Sequence, residues 1–227
     1  MILSVSHQAR GKFITFEGLD GCGKSTQLEK LAAALRKQKL PVLVTREPGG
    51  TPTAEKIRQL LLDAKTSSLT PFAELALMFA SRVQHIKEVI QPAIDDGKTV
   101  LCDRFTDSSE AYQGGGRRLG SEPVLSLHRI LCDDFWPDLT ILMDSDVATS
   151  VGRARRRNQA KGSTANDENR FEQESRAFFG RVRNAYLAIA EREPQRVIVV
   201  DARGTPDETH SLVMEIVRRK LKVAKTA

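Results

Sequence analysis

The chain is 227 residues long with formal net charge +6, from 35 Lys and Arg against 29 Asp and Glu. That length suits one sizeable α/β domain with its own core, and a modest basic surplus points to an anionic partner: nucleic acid, a membrane surface or a polyanionic small molecule. Three cysteines (Cys22, Cys102, Cys132) without metal-type spacing argue against a disulfide scaffold and for a reducing compartment, and no apolar run approaches a membrane span of about 20 residues.

Met1 to Arg10 has neither a basic start nor a long apolar core, so it does not read as a secretory signal, and residues 1–11 are expected to be a flexible extension. Apolar Phe13-Ile14-Thr15-Phe16 then leads into Gly18-Leu19-Asp20-Gly21-Cys22-Gly23-Lys24-Ser25, with Thr26 following. This is G-x-x-x-x-G-K-[ST] between a strand and an amphipathic helix, the context of a phosphate-binding loop. Glycines turn the backbone so that its N–H groups point inward, and the helix adds its positive N-terminal end. Lys24 is suited to the β- and γ-phosphates of ATP and Ser25 to Mg²⁺. A plain glycine turn does not require the Lys-Ser pair.

Leu28, Leu31, Ala32 and Leu35 mark the buried stripe of that helix. Pro41 to Thr45 reads as a second strand, leading into the turn-rich Arg46-Glu47-Pro48-Gly49-Gly50. Thr51-Pro52 and Thr70-Pro71 each open a helix. The second of these carries Leu75, Met78, Phe79 and Arg82 on one side and stops near Gly97, with a bend expected near Pro92. Thr99 to Cys102 is a buried strand with Asp103-Arg104 at its carboxyl end, where ligands bind in open α/β sheets. The stretch through Tyr112-Gln113-Gly114-Gly115-Gly116-Arg117-Arg118 reads as loop-rich, followed by a helix near Pro123–Cys132. Leu139 to Met143 is a fourth strand ending at Asp144, and Asp146 is placed to cap the next helix. Residues 162–169 read as a mobile loop, and helical pattern resumes near Phe171. Val197 to Val200 is a fifth strand, and Thr205-Pro206-Asp207-Glu208 opens a last helix with a capping box. Strands alternating with helices predict a parallel sheet covered on both faces, in one domain over residues 12–222 with a flexible tail at 223–227.

Arg46, Arg82 and Arg104 fall near the P-loop end of that sheet. Between Arg153 and Arg170 six basic residues stand against Asp167 and Glu168, the composition of a basic lid at about residues 153–171. Phosphoryl transfer spreads negative charge that cations must neutralise, and a lid also excludes water. A phosphate monoester needs no base at neutral pH, because its second pKa is about 6. Its difficulty is repulsion from the donor, so the arginine surplus favours a phosphate acceptor, with Glu17 and Asp20 as possible bases for a hydroxyl. A nucleotide-dependent nucleic-acid binder is a weaker reading, since no basic stripe is interleaved with aromatics.

The segments Phe16 to Thr26, Arg46 to Gly50, Asp103-Arg104, Ala111 to Arg117, Pro137 to Thr140 and Arg170-Phe171-Glu172, in this order, closely resemble bacterial thymidylate kinases. The resemblance implies a P-loop three-layer sandwich with five parallel strands ordered 2-3-1-4-5. It also implies transfer from MgATP to dTMP, giving ADP and dTDP, in a cytoplasmic homodimer that engages neither nucleic acid nor membrane. The alternative is another P-loop nucleoside or nucleotide kinase with a different acceptor.

Carried over by position, Gly18 to Thr26 hold the ATP phosphates and Arg203, beside Asp201-Ala202, the adenine. Arg46 and Arg104 resemble the arginines on the dTMP phosphate, and Arg82 the one that hydrogen-bonds thymine. Met78, Phe79, Ser109 and Gln113 line the base, and Tyr112 packs against the deoxyribose. Asp20 and Glu17 lie near the 3′-hydroxyl and magnesium, for which Ser25 and Asp103 are the candidate ligands. Lys24, Asp20 and Arg104 are candidate catalytic groups. Because position 21 is glycine, where the eukaryotic type carries arginine, Arg153 and Arg157 of the lid complete that set. Two positions depart from the family pattern: Met78 stands where phenylalanine stacks on thymine, and Asn169 opens a motif that usually begins with aspartate.

Overall fold

The computed structural model describes residues 10–63, 69–160 and 170–221. Its sheet comprises β1 (Phe13–Glu17), β2 (Val42–Arg46), β3 (Thr99–Asp103), β4 (Leu139–Asp144) and β5 (Val197–Asp201), in the order β2-β3-β1-β4-β5 with every pairing parallel. This is the expected order, and β1, wholly buried, sits centrally. Each strand pairing demands a crossover, and helices supply it on both faces.

On one face α1 (Lys24–Lys37) and α9 (Pro206–Leu221) press Leu28, Leu31, Leu35, Val213 and Val217 against Ile14, Phe16 and Ile141. On the other, α3 (Pro71–His85) contributes Leu75 and Phe79 to a core with Phe13, Val100 and Phe105, while α8 (Arg176–Arg192) contributes Phe178, Val182 and Tyr186. Fully burying one such large apolar side chain is worth about 1.5–3 kcal/mol.

The predicted helix starts have physical caps. The Thr51 hydroxyl accepts from Ala54 N–H at 3.1 Å, opening α2 (Pro52–Leu62), and Thr70 accepts from Ala73 N–H at 3.3 Å. Asp146 accepts from Thr149 N–H at 2.7 Å at the head of α7 (Val147–Ala160), and Thr205 and Glu208 form the reciprocal capping box. Where a bend is expected near Pro92, the helix is π-helical over Ile86–Ile90 and leads into α4 (Gln91–Asp95). Pro92 has no N–H to give the preceding turn, and a wider turn accommodates that loss.

One expectation is corrected. The glycine-rich stretch after β3 is helical, running through α5 (Thr106–Ser109) into a π-helical Glu110–Gly116 before α6 (Ser121–Cys132). Glycine disfavours helix locally, but here it permits close contact with α8. A Cβ at Gly115 would come within 2.6 Å of the Ala185 Cβ, and one at Gly116 within 2.6 Å of the Phe178 ring. The helical pattern near Phe171 begins as a 3₁₀ turn, Arg170–Gln173, and α8 starts later behind a Ser175 cap. The expected extension at 1–11 (up to residue 9), the loop at 162–169 and the tail at 223–227 lie outside the described residues.

Candidate active site

The glycine loop runs from the end of β1 to the start of α1. Gly18, Gly21 and Gly23 all have positive φ, at 130°, 81° and 102°. A Cβ on Gly18 would lie 2.4 Å from the Met143 carbonyl oxygen, and one on Gly21 only 2.2 Å from the Ser150 carbonyl oxygen. The cradle is therefore pinned against β4 and α7, and α7 itself fills the space where a side chain at position 21 would begin. Lys24, buried at the head of α1, donates to the carbonyl oxygens of Gly18 and Leu19 at 3.1 and 3.0 Å, arching back over the loop. Burial raises the pKa of Cys22, so it sits in the cradle as a neutral thiol. Ser25 and Thr26 are exposed at the helix head.

The Ser25 hydroxyl donates to Asp103 Oδ2 at 3.0 Å, and Asp103 Oδ1 is buried with no partner among the described residues. One hydroxyl and one carboxylate with a spare lone pair suit Mg²⁺, which keeps waters and phosphate oxygens rather than an all-protein cage. The described residues contain no cluster of three or more His, Cys, Asp or Glu able to hold a metal.

Arg104 follows Asp103 in the left-handed conformation (φ 73°), its N–H held by the Phe16 carbonyl at 3.0 Å. That turn swings the guanidinium across to the P-loop. It donates to Asp20 Oδ1 at 2.8 Å, to the hydroxyls of Ser108, Tyr186 and Tyr112 at 3.0, 3.1 and 3.2 Å, and lies over the Tyr112 ring at 4.9 Å. Burial opposes its charge, but Asp20 and the surrounding oxygens raise its pKa well above the usual value. Tyr112 also donates to Asp20 Oδ2 at 3.2 Å, and burial raises both tyrosines' pKa, so they stay donors.

Glu17 is fully buried beneath this layer and accepts from Phe105 N–H at 2.6 Å, Ser108 at 2.5 Å and Tyr186 at 2.9 Å. Burial, reinforced by Asp107, pushes its carboxyl up to about 7, against the pull of Arg104 and the two hydroxyls.

Beside this lies a second buried polar group. Arg82 donates Nε to Glu47 at 2.7 Å and Nη2 to the Phe105 carbonyl and the Ser109 hydroxyl at 3.1 and 3.0 Å. Its guanidinium lies over Phe79 at 4.7 Å and Phe105 at 5.3 Å, yet Nη1 is buried without a partner among the described residues. Phe79 is thus a core ring supporting Arg82, whereas Met78 is partly buried and packs toward the cluster of Leu19, Tyr112 and Phe171. Gln113 donates to Glu74 at 2.8 Å, and its Oε1 is buried without a partner among the described residues.

The remaining predicted residues are placed differently, Arg46 in register with Asp103 on the neighbouring strand. Arg46 ends β2 half-exposed, paired with Glu55 at 3.0 Å, and Arg203 is exposed and paired with Asp201 at 2.6 Å. Arg153 is exposed on α7, and the Arg157 side chain lies outside the described residues. Arg170, grouped by composition with the lid, is instead buried on Glu74 at 2.7 Å and the Leu61 carbonyl at 3.2 Å. Sequence reasoning did not single out Glu74, Ser108 or Tyr186 for the site. For Glu74 there was a signal: a carboxylate on the stripe of Met78 and Arg82, one and two helical turns away.

A glycine cradle with its lysine, facing the partly buried Arg104 and the buried Arg82 across the carboxyl ends of a parallel sheet, defines the chain as a P-loop phosphotransferase. Its nearer kinship comes from comparison with known proteins. The thymidylate kinase family model matches residues 16–213. The chain is 48% identical over 211 residues to the thymidylate kinase of Trichlorobacter lovleyi, covering 93% of this chain and 99% of that one. It is 50% identical over 192 residues to that of Pseudomonas syringae pv. tomato, covering 85% and 88%. Its fold is similar to the crystal structure of thymidylate kinase from Ehrlichia chaffeensis (TM-score 0.72, 32% identity, 92% of this chain and 99% of that one). The chain belongs to the thymidylate kinase family.

Proposed function

We propose that this protein moves the γ-phosphoryl group of ATP to dTMP, giving ADP and dTDP, through one domain over residues 12–222. The observation that carries the reading is Arg104: a partly buried guanidinium, 2.8 Å from Asp20 of the phosphate loop, at the end of the strand beside β1. A cation in that position neutralises an acceptor phosphate brought up to the donor.

The cradle of Gly18 to Gly23 and the head of α1 bind the ATP phosphates, Lys24 shifts from its carbonyls to the β- and γ-oxygens, and Arg203 borders the adenine. Ser25 and Asp103 would hold Mg²⁺, which when bound neutralises charge on the phosphates. Arg46 and Arg104 hold the dTMP phosphate. Arg82, Gln113, Ser109 and Met78 surround the base, and Phe79 acts from beneath Arg82. Tyr112 occupies the space beside the sugar where a 2′-hydroxyl would project. Asp20 fixes Arg104 and borders the 3′-hydroxyl, with Glu17 one layer beneath. Because the acceptor phosphate is already ionised, no side chain has to remove a proton before attack. Arg153 and Arg157 supply lid charge to the transferring group.

Three buried free cysteines suit a cytoplasmic setting, and no described helix is long and apolar enough to cross a membrane. We further propose a homodimer as the working state. A coupled assay of ADP release across dTMP, thymidine, dCMP and UMP tests the reading: dTMP should be the preferred acceptor, and turnover of thymidine without turnover of dTMP would end it.

A further inference from the structure

Glu74, Met78 and Arg82 lie four residues apart on one stripe of α3, and Ser109 and Gln113 lie four apart on the helical stretch that faces it. The two stripes pair end to end: Arg82 with Ser109 at 3.0 Å, and Gln113 with Glu74 at 2.8 Å. Each pairing leaves one buried atom unsatisfied, Arg82 Nη1 and Gln113 Oε1. Buried polar groups without partners are rare in folded proteins, and two of them flanking Met78 indicate a ligand with complementary groups.

The chemistry of the two atoms is opposite. Nη1 can only donate. Whether a Gln presents its oxygen or its NH₂ is normally ambiguous, but here Glu74 decides. Its carboxylate accepts from Arg170 at 2.7 Å, from Arg117 Nε at 3.3 Å and from Gln113. A carboxylate between two guanidinium groups offers only acceptors, so the amide must turn its NH₂ toward it and its oxygen away. Glu47 holds Arg82 in the same manner, and His85 Nδ1 pairs with the other Glu47 oxygen at 3.1 Å.

We propose that Glu74 is a specificity-determining positioning residue: by locking the Gln113 amide it presents an acceptor beside the Arg82 donor, the pattern that takes a pyrimidine with a C4 carbonyl and an N3–H. The proposal rests on the dTMP reading above. Cytosine carries an amino group and a bare ring nitrogen at those positions, so both contacts would become repulsive. Glu74 does this without touching the nucleotide.

The test is equilibrium titration of dTMP and dCMP with the full-length protein, reading the ratio of the two dissociation constants. In Glu74→Gln the residue at position 74 can itself donate, the Gln113 amide is free to turn, and the ratio should fall about tenfold or more, the scale of one mismatched buried hydrogen bond. Gln113→Met removes the acceptor and should produce the same fall. Combining the two should change the ratio by less than about twofold beyond Gln113→Met alone, because one contact is removed by either route. General damage to the fold would weaken both nucleotides and leave the ratio in place. If Glu74→Gln does not fold, Glu74→Asp keeps the charge for Arg117 and Arg170 while withdrawing the oxygen from Gln113, and should lower the ratio. An unchanged ratio in the folded position-74 variant, or a further full fall in the double variant, overturns the proposal. Failure of the wild type to bind dTMP would instead overturn the functional reading on which it rests.

Discussion

Asp20 and Arg104 meet at 2.8 Å across the seam between the glycine loop and the end of β3. In the proposed reaction one would belong to the donor-binding segment and the other to the acceptor-binding segment, so their ion pair would set the distance at which two mutually repelling phosphates are held. Arg104 reaches it only through its left-handed backbone, a conformation that costs a non-glycine residue about 1–3 kcal/mol. The cost is offset by the Phe16 carbonyl and by four side-chain acceptors.

Replacing Arg104 should therefore act mainly on the acceptor. Arg104→Ala is expected to raise KM for dTMP by about tenfold or more, with KM for ATP affected less. Arg104→Lys should not restore it, since one ammonium cannot span four partners in a plane. Steady-state kinetics with each substrate varied in turn would show this, and an unaltered KM for dTMP would remove Arg104 from the role.

Among the described residues Lys24 donates to two carbonyls of its own loop and to no other group, so its removal should spare the fold. Lys24→Ala is expected to lower kcat by about a hundredfold or more through lost stabilisation of developing charge. Far-ultraviolet circular dichroism and the melting temperature should stay near the wild-type values.

Glu17 makes stability depend on pH. The fold raises its carboxyl from 4.5 to about 7, so the native state holds this proton more tightly than the unfolded chain does. The resulting contribution is fully present below about pH 4.5 and is lost as pH rises through about 7. Its ceiling is about 3 kcal/mol, from about 1.4 kcal/mol per pKa unit. Urea unfolding of wild type and Glu17→Gln between pH 4.5 and 8 should give a difference in stability that moves in favour of the variant as pH rises. A constant difference would show that burial does not raise Glu17.

Tyr112 is buried edge-on against Phe171, Phe178 and Tyr186. Tyr112→Phe keeps that ring, so it should retain discrimination against the ribonucleotide of thymine. Tyr112→Ala should relax discrimination by about tenfold, as well as costing about 3–5 kcal/mol of stability from the cavity. Competition between the two monophosphates is the measurement.

Behind the site, Asp107 is buried and accepts two bonds from Arg196 at 2.7 and 2.9 Å, with Trp136 lying 4.6 Å from that guanidinium. Arg196→Met should destabilise the protein by about 3–5 kcal/mol, because it leaves a buried carboxylate without its cation. Chemical denaturation would detect this, and a loss under about 1 kcal/mol would show that the pair is not required.

The sequence by itself determined the sheet, its order through the family resemblance, the cradle and most helix starts. Those features are local: a period of two or 3.6, a glycine where φ must be positive, a hydroxyl three residues before the N–H it caps. Tertiary structure decided the rest. Only packing against α8 turned the glycine run after Ser109 into helix, since a glycine's advantage there is the neighbour it admits. Only the folded chain showed that Arg170 is neutralised by Glu74 while Arg82 keeps its Nη1 unpaired among the described residues, because an arginine's availability depends on which carboxylates lie within about 3 Å of it, and those are set by residues 35 to 96 positions away along the chain.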